Sequence, residues 1–474
     1  MREKFEELFK DWSGVEPETF NLLPESGSNR KYYRIGGNGK TAIGVYNSNA
    51  EENNTFVHFS RHFKSKALNV PEIYKFDGHF YLQEDLGTKN LFDIVGSRND
   101  MTVFTDEMSN LYKKVIDDLL KFQFLGYKDL DFSFCFQNQV FDKSQIIRDL
   151  NYFKYYFLKL IKVDFNEDVL DKEFEKLAEH LNQVDKDYFM YRDFQSRNIH
   201  VSENDELSYI DYQGGSKGPL QYDLVSLLFQ AKAQIPEEKR EELLNYYLEK
   251  LNEYTEKDQV KFVANYYLFA LIRTLQVLGA YGFRGFVENK AHFITSIPFA
   301  IENLKTIIEK LNGQDYGHIK LISEQIYKRK SEFEVETEVG KGLIVRINSF
   351  SFRKSIPKDY SGNGGGFIFD CRALPNPGRY PEYQSSTGMD ANVIEFLQKE
   401  NEVSEFLDRV KAITSQSVDK YVSRGFQNLQ INFGCTGGQH RSVYCAEQIA
   451  SFLLKQFKVS VVLTHVEQGV QKNF

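Results

Sequence analysis

The sequence predicts an α+β chain of more than one body: a small β-rich lobe, a helical lobe, and then a separate α/β domain. Three observations carry this. Short apolar segments broken by Gly, Asn and Asp turns dominate residues 1–90, whereas residues 91–315 carry long stretches of helical period. After Leu311 the composition changes, through the loop NGQDYG and the charged stretch IKLISEQIYKRKSEFEVE, before strands resume at GLIVRINSFSF. At 474 residues the chain also exceeds a single core. The expected organisation is a first lobe at 1–90, a second at 91–315, a linker at 316–340 and a last domain at 341–474.

In the first lobe, residues 2–12 place Phe5, Leu8, Phe9 and Trp12 on one helical face. Ser26 to Asn47 reads as strand, GGNG turn, strand. Gly39-Lys40-Thr41 imitates the end of a Walker A loop, but the required first glycine falls at Arg34 and no helical period follows. Residues 51–66 put Phe56, Phe59 and Phe63 on the packing face of a helix, with Glu51 and Glu52 expected as dipole partners at its start. Two strands then flank the Asp77-Gly78 turn, and Asp85 is expected to cap the next helix. The second lobe has helical periods over Asp106 to Phe124, Gln145 to Lys162, 237–256 and 258–281.

Composition excludes several classes. A net charge of -8 and a C-terminal HVEQGVQKNF without basic residues in excess argue against a nucleic-acid partner. No uninterrupted apolar run reaches the roughly 18 residues of a membrane span. MREKFEELFKDW is unlike a signal peptide, and Cys135, Cys371, Cys435 and Cys445 lack metal-ligand spacing, so a cytoplasmic chain with reduced thiols is expected. The 41 Phe and 28 Tyr against one Trp read as core residues rather than a stacking platform for bases.

The most informative stretch is YRDFQSRNIHV, Tyr191 to Val201, followed by YIDYQGG, Tyr209 to Gly215. Asp193 and Asn198 lie five positions apart, and Asp211 stands thirteen beyond Asn198 across the polar turn SENDE. A short hairpin would bring two carboxylates and an amide to one side. Phosphoryl transfer from a nucleoside triphosphate needs that set: Asp193 to hold the acceptor hydroxyl and take its proton, Asn198 and Asp211 to hold Mg2+ on the phosphates.

With YLQEDLGTKNL (Tyr81 to Leu91), GPLQYDLVSLL and LIRTLQVLGAYGF (Leu271 to Phe283), these motifs resemble the aminoglycoside phosphotransferase and choline kinase superfamily, most closely its anomeric kinases of N-acetylmuramate and N-acetylglucosamine in cell-wall recycling. The resemblance covers about the first 310 residues and implies a bilobal protein-kinase-like fold, ATP with Mg2+, and an amino-sugar acceptor. It implies that Ser26, Gly27, Ser28 and Asn29 cover the triphosphate, and that Gln83, Glu84 and Leu86 form the hinge that meets adenine. The strand lysine of most such kinases is replaced by Tyr46, so Arg34, Lys31 or Lys40 is expected to supply the charge, Glu51 or Glu52 being able to pair with that cation. Tyr191 and Gln195 stand where relatives carry His. Asp223 reads either as a helix cap or as a carboxylate bracing the catalytic loop, and Arg273, Gln276 and Tyr281 are candidates for the acceptor pocket.

In the last domain, SGNGGG precedes FIFDCRAL, read as a buried strand, and helices over 391–424 lead to LQINFGC. The turn CTGGQHRS then separates Cys435 from Arg441 by five residues, with Ser442 next. Backbone N–H groups at a helix start cradle an anion, and Arg441 adds a planar fork. A thiol at that position is also a possible nucleophile, as in phosphotyrosine-phosphatase loops, with Asp370 as acid. FDCRALPNPGRYPEYQSSTGMD and GCTGGQHRSV resemble the C-terminal domain of the RapZ family of RNase adapters, which sense glucosamine 6-phosphate. That resemblance spans about 342–466 and implies an amino-sugar phosphate at Asp370, Cys435, Thr436, Gly437, Gly438, His440, Arg441 and Ser442; Gly378 stands where the family often has His. Phosphatase and RNA-adapter readings of the fusion remain open here.

Overall fold

The computed structural model describes residues 1–24, 30–98, 100–311, 316–334, 342–359 and 366–474. It divides into two compact units, Met1–Phe283 with Ser296–Glu332, and Arg284–Thr295 with Phe333–Phe474.

The first unit opens with an antiparallel five-stranded sheet, ordered β1-β2-β3-β5-β4, where β1 is Thr19–Leu22, β2 Lys31–Gly37, β3 Lys40–Tyr46, β4 Ile73–Asp77 and β5 Phe80–Gln83. The β2–β3 turn places Asn38 and Gly39 at φ 49° and 73°, the left-handed pair that a tight hairpin demands. Lys40 and Thr41 are therefore strand residues, which excludes the Walker A reading on structural grounds. Helix Arg2–Ser13 packs Phe5, Leu8 and Phe9 against Ile35, Ala42 and Leu82 of the sheet. Helix Ala50–Ser65 buries Phe56, Phe59 and Phe63, and Asn49 caps it by accepting from the Glu51 and Glu52 N–H groups.

The helical lobe is built around helix Gln259–Gly282, which packs on helices Lys143–Phe153, Leu220–Leu228 and Ile297–Lys310. The last turns of this long helix come within backbone distance of residues 152–157: a Cβ at Gly279 would lie 2.8 Å from the Phe153 nitrogen, and one at Gly282 would collide with the Tyr156 carbonyl oxygen. By length and composition one helical stretch, Gln259–Val287, would suffice to cross a membrane. Arg273 interrupts its apolar residues, and 72% of its most apolar window is buried inside the structure. Two short pairs of strands, β6 (Tyr188–Met190) with β9 (Ser216–Gly218) and β7 (Ile199–Val201) with β8 (Leu207–Tyr209), carry the loops of interest. Within the expected linker, Gly317–Lys328 forms a helix that buries Ile319, Ile322 and Ile326, with its first N–H groups, those of His318 and Ile319, donating to the Glu173 carboxylate at 2.8 Å each.

The second unit has a five-stranded sheet ordered β11-β12-β10-β13-β14, with β10 Ile344–Ser351, β11 Gly366–Asp370, β12 Asn428–Cys435, β13 Ser460–His465 and β14 Val470–Asn473. The first four strands run parallel and β14 is antiparallel to β13. Central β10 and β12 are near-continuously buried, as strands covered on both faces must be. β11 departs from the expected buried strand: it is the sheet edge and alternates between exposed and half-buried positions. Helices Ala391–Gln398, Asn401–Ser423 and Arg441–Gln456 supply Val393, Val403, Leu407, Val410, Ile449 and Leu453 to a core with Val345, Ile347, Ile431 and Phe433.

Gly282→Ala is expected to destabilise the chain by about 1–3 kcal/mol through overpacking against the Tyr156 carbonyl. Urea denaturation with an unchanged midpoint would contradict the close approach.

Candidate active site

β6 delivers Tyr191, Arg192 and Asp193 to the end of the helical lobe. The backbone there is strained, since Arg192 sits at φ 81° without being glycine. It is held by Asp223, whose buried carboxylate accepts the N–H groups of Tyr191 (2.6 Å) and Arg192 (2.9 Å). Pro219 occupies the cap position of helix Leu220–Leu228, so of the two readings of Asp223 the structure supports the brace. Burial pushes the Asp223 carboxyl up to about 7. Arg192 is fixed in turn by Asp149 (2.9 and 3.1 Å) and lies over the rings of Phe141 and Tyr222.

The three residues singled out in the sequence meet here. The Asn198 side-chain amide donates to the Asp193 carbonyl (2.9 Å) and to the Asp211 carboxylate (3.2 Å), while Gln213 donates to the other Asp211 oxygen at 2.8 Å. Asp211 itself sits at φ 72°. The Asp193 side chain is 43% exposed and receives Arg273 at 2.9 Å. Burial opposes its ionisation, but Arg273, with Arg197 and Arg192, outweighs that and holds Asp193 below the usual carboxylate range. Asp211 is shifted the other way, upward, by burial and by the Asp193 charge. A divalent cation fits this donor set, because it would relieve an otherwise penalised carboxylate and prefers hard oxygens. Among the described residues no group of three His, Cys, Asp or Glu forms a metal site by itself, so such an ion would draw further oxygens from a bound phosphate or water.

On the side of the five-stranded sheet, β5 ends at Gln83, and the Glu84 N–H is used by Glu72 (2.9 Å). The Glu84 carbonyl and Leu86 N–H have no backbone partner among the described residues. Arg34 is not at the phosphate side as expected. It forks onto Asp85 (2.7 and 2.9 Å) and reaches the Gly87 carbonyl at 3.2 Å, so it ties this connecting segment to β2. Asp85 accordingly is no helix cap; Asn90 and Asp93 form a capping box on helix Leu91–Gly96 instead. Lys40 is turned to the Ser13 carbonyl at 2.7 Å, and Lys31 is exposed. The buried cation is one that sequence reasoning missed, Arg30, which contacts Glu52 and lies 3.5 Å from Asp211. The only signal for it was the glutamate pair opening the 50–65 helix. Ser26, Gly27, Ser28 and Asn29 lie outside the described residues.

Beside Asp193 lies a cleft lined by Gln195, Phe229, Gln230, Arg273, Tyr281 and Asn303 among others. Gln276 stays outside the lining and holds Arg273 at 2.5 Å. Of the two positions where relatives carry His, Gln195 faces this cleft, whereas Tyr191 is buried and donates its hydroxyl to the Ile210 carbonyl.

In the second unit, Cys435 ends β12 one register step from Asp370 on β11. The Cys435 Sγ accepts the Gly438 N–H at 3.2 Å and lies 3.1 Å from the Ser442 hydroxyl. Gly438, at φ 69°, packs where a Cβ would strike Glu467 and the Ser351 nitrogen, so the tight turn requires glycine. The Thr436 carbonyl accepts from Ser351 (2.7 Å), Gly437 faces open space and His440 meets the Tyr383 carbonyl at 2.8 Å. Gly378 abuts the His440 ring. Arg441 is buried, and its Nη1 donates to the carbonyls of Arg372 (2.7 Å) and Leu374 (3.0 Å). That leaves less of its fork for an anion than expected, although its Nε is buried without a partner. Hydrogen bonds from Arg372 hold Asp370 below the usual carboxylate range.

Residues 19–262 match the model of the phosphotransferase enzyme family, and residues 343–469 match that of the RapZ C-terminal domain. The chain belongs to the phosphotransferase enzyme family. Among curated proteins, a nucleotide-binding protein of Fervidobacterium nodosum is 37% identical over 136 residues, covering 28% of this chain and 46% of that one. One from Saccharophagus degradans is 39% identical over 165 residues, covering 34% and 55%. The chain thus spans about half the length of the curated relatives it matches. Solved structures with a likeness include choline kinase LicA from Streptococcus pneumoniae, at 16% identity, 70% and 98% coverage and TM-score 0.41. A thermostable mutant of aminoglycoside phosphotransferase APH(4)-Ia is 15% identical, with 65% and 100% coverage and TM-score 0.45.

In this member of the family, Asp223→Ala would leave two backbone N–H groups buried and unpaired, and a loss of roughly 2–6 kcal/mol is expected from urea denaturation. The same residue predicts a pH trend. The unfolded chain releases the Asp223 proton near the usual value of about 4, whereas the folded chain keeps it to about 7. The stability contributed by this group therefore falls as pH rises through that window. Asp223→Asn should flatten that part of the slope; equal slopes in the two proteins would refute the assignment.

Proposed function

We propose that the first unit transfers the terminal phosphate of ATP to a hydroxyl, at the anomeric position, of an amino sugar of the N-acetylmuramate or N-acetylglucosamine type, a reaction of cell-wall recycling in the cytoplasm. The observation that carries the phosphotransfer reading is the meeting of Asp193, Asn198 and Asp211 in one hydrogen-bonded set beside an open cleft. Asp193 orients the acceptor hydroxyl and takes its proton as the bond to phosphorus forms. Its depressed pKa suits that late role better than full proton removal beforehand. Arg273 fixes the rotamer of Asp193 and, with Tyr281 and Gln195, offers donors to the oxygens of a sugar. Asn198 and Asp211 would hold Mg2+, which would neutralise charge on the phosphates. The Glu84 carbonyl and Leu86 N–H, which have no backbone partner among the described residues, suit an adenine edge. The identity of the sugar rests on the motif resemblance, and polar groups in the cleft are compatible with it.

The second unit is proposed to bind a phosphorylated amino sugar at the Cys435 to Ser442 turn, and through it to tune the output of the first. The match to the RapZ C-terminal domain and the start of helix Arg441–Gln456 support this. A second reading, hydrolysis of a phosphate monoester with Cys435 as nucleophile, is favoured by the Gly438 N–H and Ser442 hydroxyl placed on its sulfur. Against it, Arg372 keeps Asp370 ionised and unsuited to act as the acid.

Asp193→Asn is expected to lower phosphotransfer roughly 10²–10⁴-fold with ATP affinity nearly unchanged, in assays offering N-acetylmuramate, N-acetylglucosamine, glucosamine and choline with ATP and Mg2+. Failure of the unaltered protein to phosphorylate any of the four would remove the acceptor assignment. For the second unit, calorimetry with glucosamine 6-phosphate should show at least tenfold weaker binding in Arg441→Ala, and kinase activity of that variant should no longer respond to the sugar phosphate. Phosphate release abolished by Cys435→Ser would instead favour hydrolysis.

A further inference from the structure

The side chain of Arg30 is 7% exposed, at the entry to β2, and it is surrounded by groups that are not neighbours in sequence. Its Nη2 contacts the Glu52 carboxylate from the first turn of helix Ala50–Ser65. Glu52 is itself oriented by the Asn47 amide, which donates to its other oxygen at 2.8 Å. Nη1 lies 3.3 Å from the Tyr32 hydroxyl and 3.5 Å from Asp211. A guanidinium withdrawn from water needs compensation, and here it receives one close carboxylate plus a second at longer range. The second is the residue proposed to hold the metal. Strand β3, where related kinases carry the phosphate-binding lysine, ends in Val45 and Tyr46 and has no cation at that point. Of the other candidates, Arg34 is committed to Asp85 and Lys40 to the Ser13 carbonyl, while Lys31 is exposed.

We infer that Arg30 is the cation that grips the α- and β-phosphates of the nucleotide, held in position by Glu52 and Asn47, and that it takes the place of the absent strand lysine. This deepens the ATP-dependent reading and rests on it. The arrangement reverses the usual origin of the charge: the carboxylate still comes from the helix, but the cation comes from the end of the loop between β1 and β2. A planar fork explains why arginine serves. One edge stays on Glu52 while the other is shared between Asp211 and, once a nucleotide is bound, a phosphate oxygen, a division that a single ammonium cannot make. The Nη1 group stands beside Asp211, so Arg30 also partly compensates that carboxylate.

The test is a binding experiment on the full chain rather than an activity assay. Affinities for a non-hydrolysable ATP analogue, ADP and adenosine are measured by calorimetry with Mg2+, for the unaltered protein, Arg30→Gln, Arg30→Lys and Glu52→Gln. Arg30→Gln is expected to weaken the ATP analogue and ADP at least tenfold while adenosine changes less than twofold. Arg30→Lys should recover part of the loss, and Glu52→Gln should show a smaller loss with the same dependence on phosphates. Because Arg30→Gln leaves the half-buried Glu52 without its cation, the double variant Arg30→Gln/Glu52→Gln removes both charges and guards against misfolding; it should keep the phosphate-specific loss. ATP-analogue affinity within twofold of the unaltered protein in the double variant, or an equal loss for adenosine and ATP, overturns the assignment. If the unaltered protein binds none of the three ligands, the ATP reading itself is overturned, an outcome distinct from failure at Arg30.

Discussion

The acceptance of two successive backbone N–H groups by one buried carboxylate, Asp223, is the constraint on which the site depends. A left-handed φ at a non-glycine residue is unfavourable, and Arg192 keeps it because its own N–H is held by Asp223 and its guanidinium by Asp149. Release either anchor and the chain at Arg192 would relax toward an ordinary conformation. Asp193 would then turn away from Arg273 and from the cleft. Asp223 is carried by a helix whose residues are buried from Leu220 to Leu228, so the brace is anchored in the core of the helical lobe rather than at its surface. The depth that makes it rigid also makes its charge costly, which is why its pKa rises.

A second consequence of the same logic is the division of labour along helix Gln259–Gly282. Its middle carries Arg273 against Asp193, and its last turns carry Tyr281 beside the cleft and two glycines that let neighbouring backbone approach. An apolar helix that would suffice for a membrane span is here the core of a lobe, and its Arg273, Thr274 and Tyr281 line the cleft. Packing precision at the glycine end is thereby coupled to the position of the arginine that contacts Asp193.

The sequence made local features legible and left relational ones hidden. Asp193, Asn198 and Asp211 could be placed together because one short hairpin separates them, and the β2–β3 turn because Asn-Gly demands a particular backbone. The cysteine turn of the second unit was visible for the same reason, since five residues between Cys435 and Arg441 are fixed by a strand end and a helix start. Arg30 and Arg34 are the opposite case. Both enter or occupy the same strand, and which one meets Asp211 and which Asp85 is decided by partners far along the chain, beyond any periodic pattern. Arg441 was read as a free fork because carbonyl partners at residues 372 and 374 leave no mark in side-chain composition. The edge position of β11 likewise depends on strand order, which is set by the whole sheet and not by the apolar letters of FIFDC.

The two carboxylates at the centre also explain each other's roles. Equivalent acids placed this close cannot both ionise without cost, and their surroundings separate them. Asp193 has arginines around it that hold its carboxyl below the usual range and is half-exposed toward the cleft, which suits the proposed role of meeting a hydroxyl from solvent. Asp211 is pressed by burial and by Asp193, with only Arg30 at longer range to offset it. Its ionised form is the one that gains most from a divalent ion. Exchanging the two proposed roles would put the ion beside Arg273 and leave the acceptor facing the carboxylate whose pKa is shifted upward, so the electrostatics suit the proposed assignment of base and metal ligand better than the reverse.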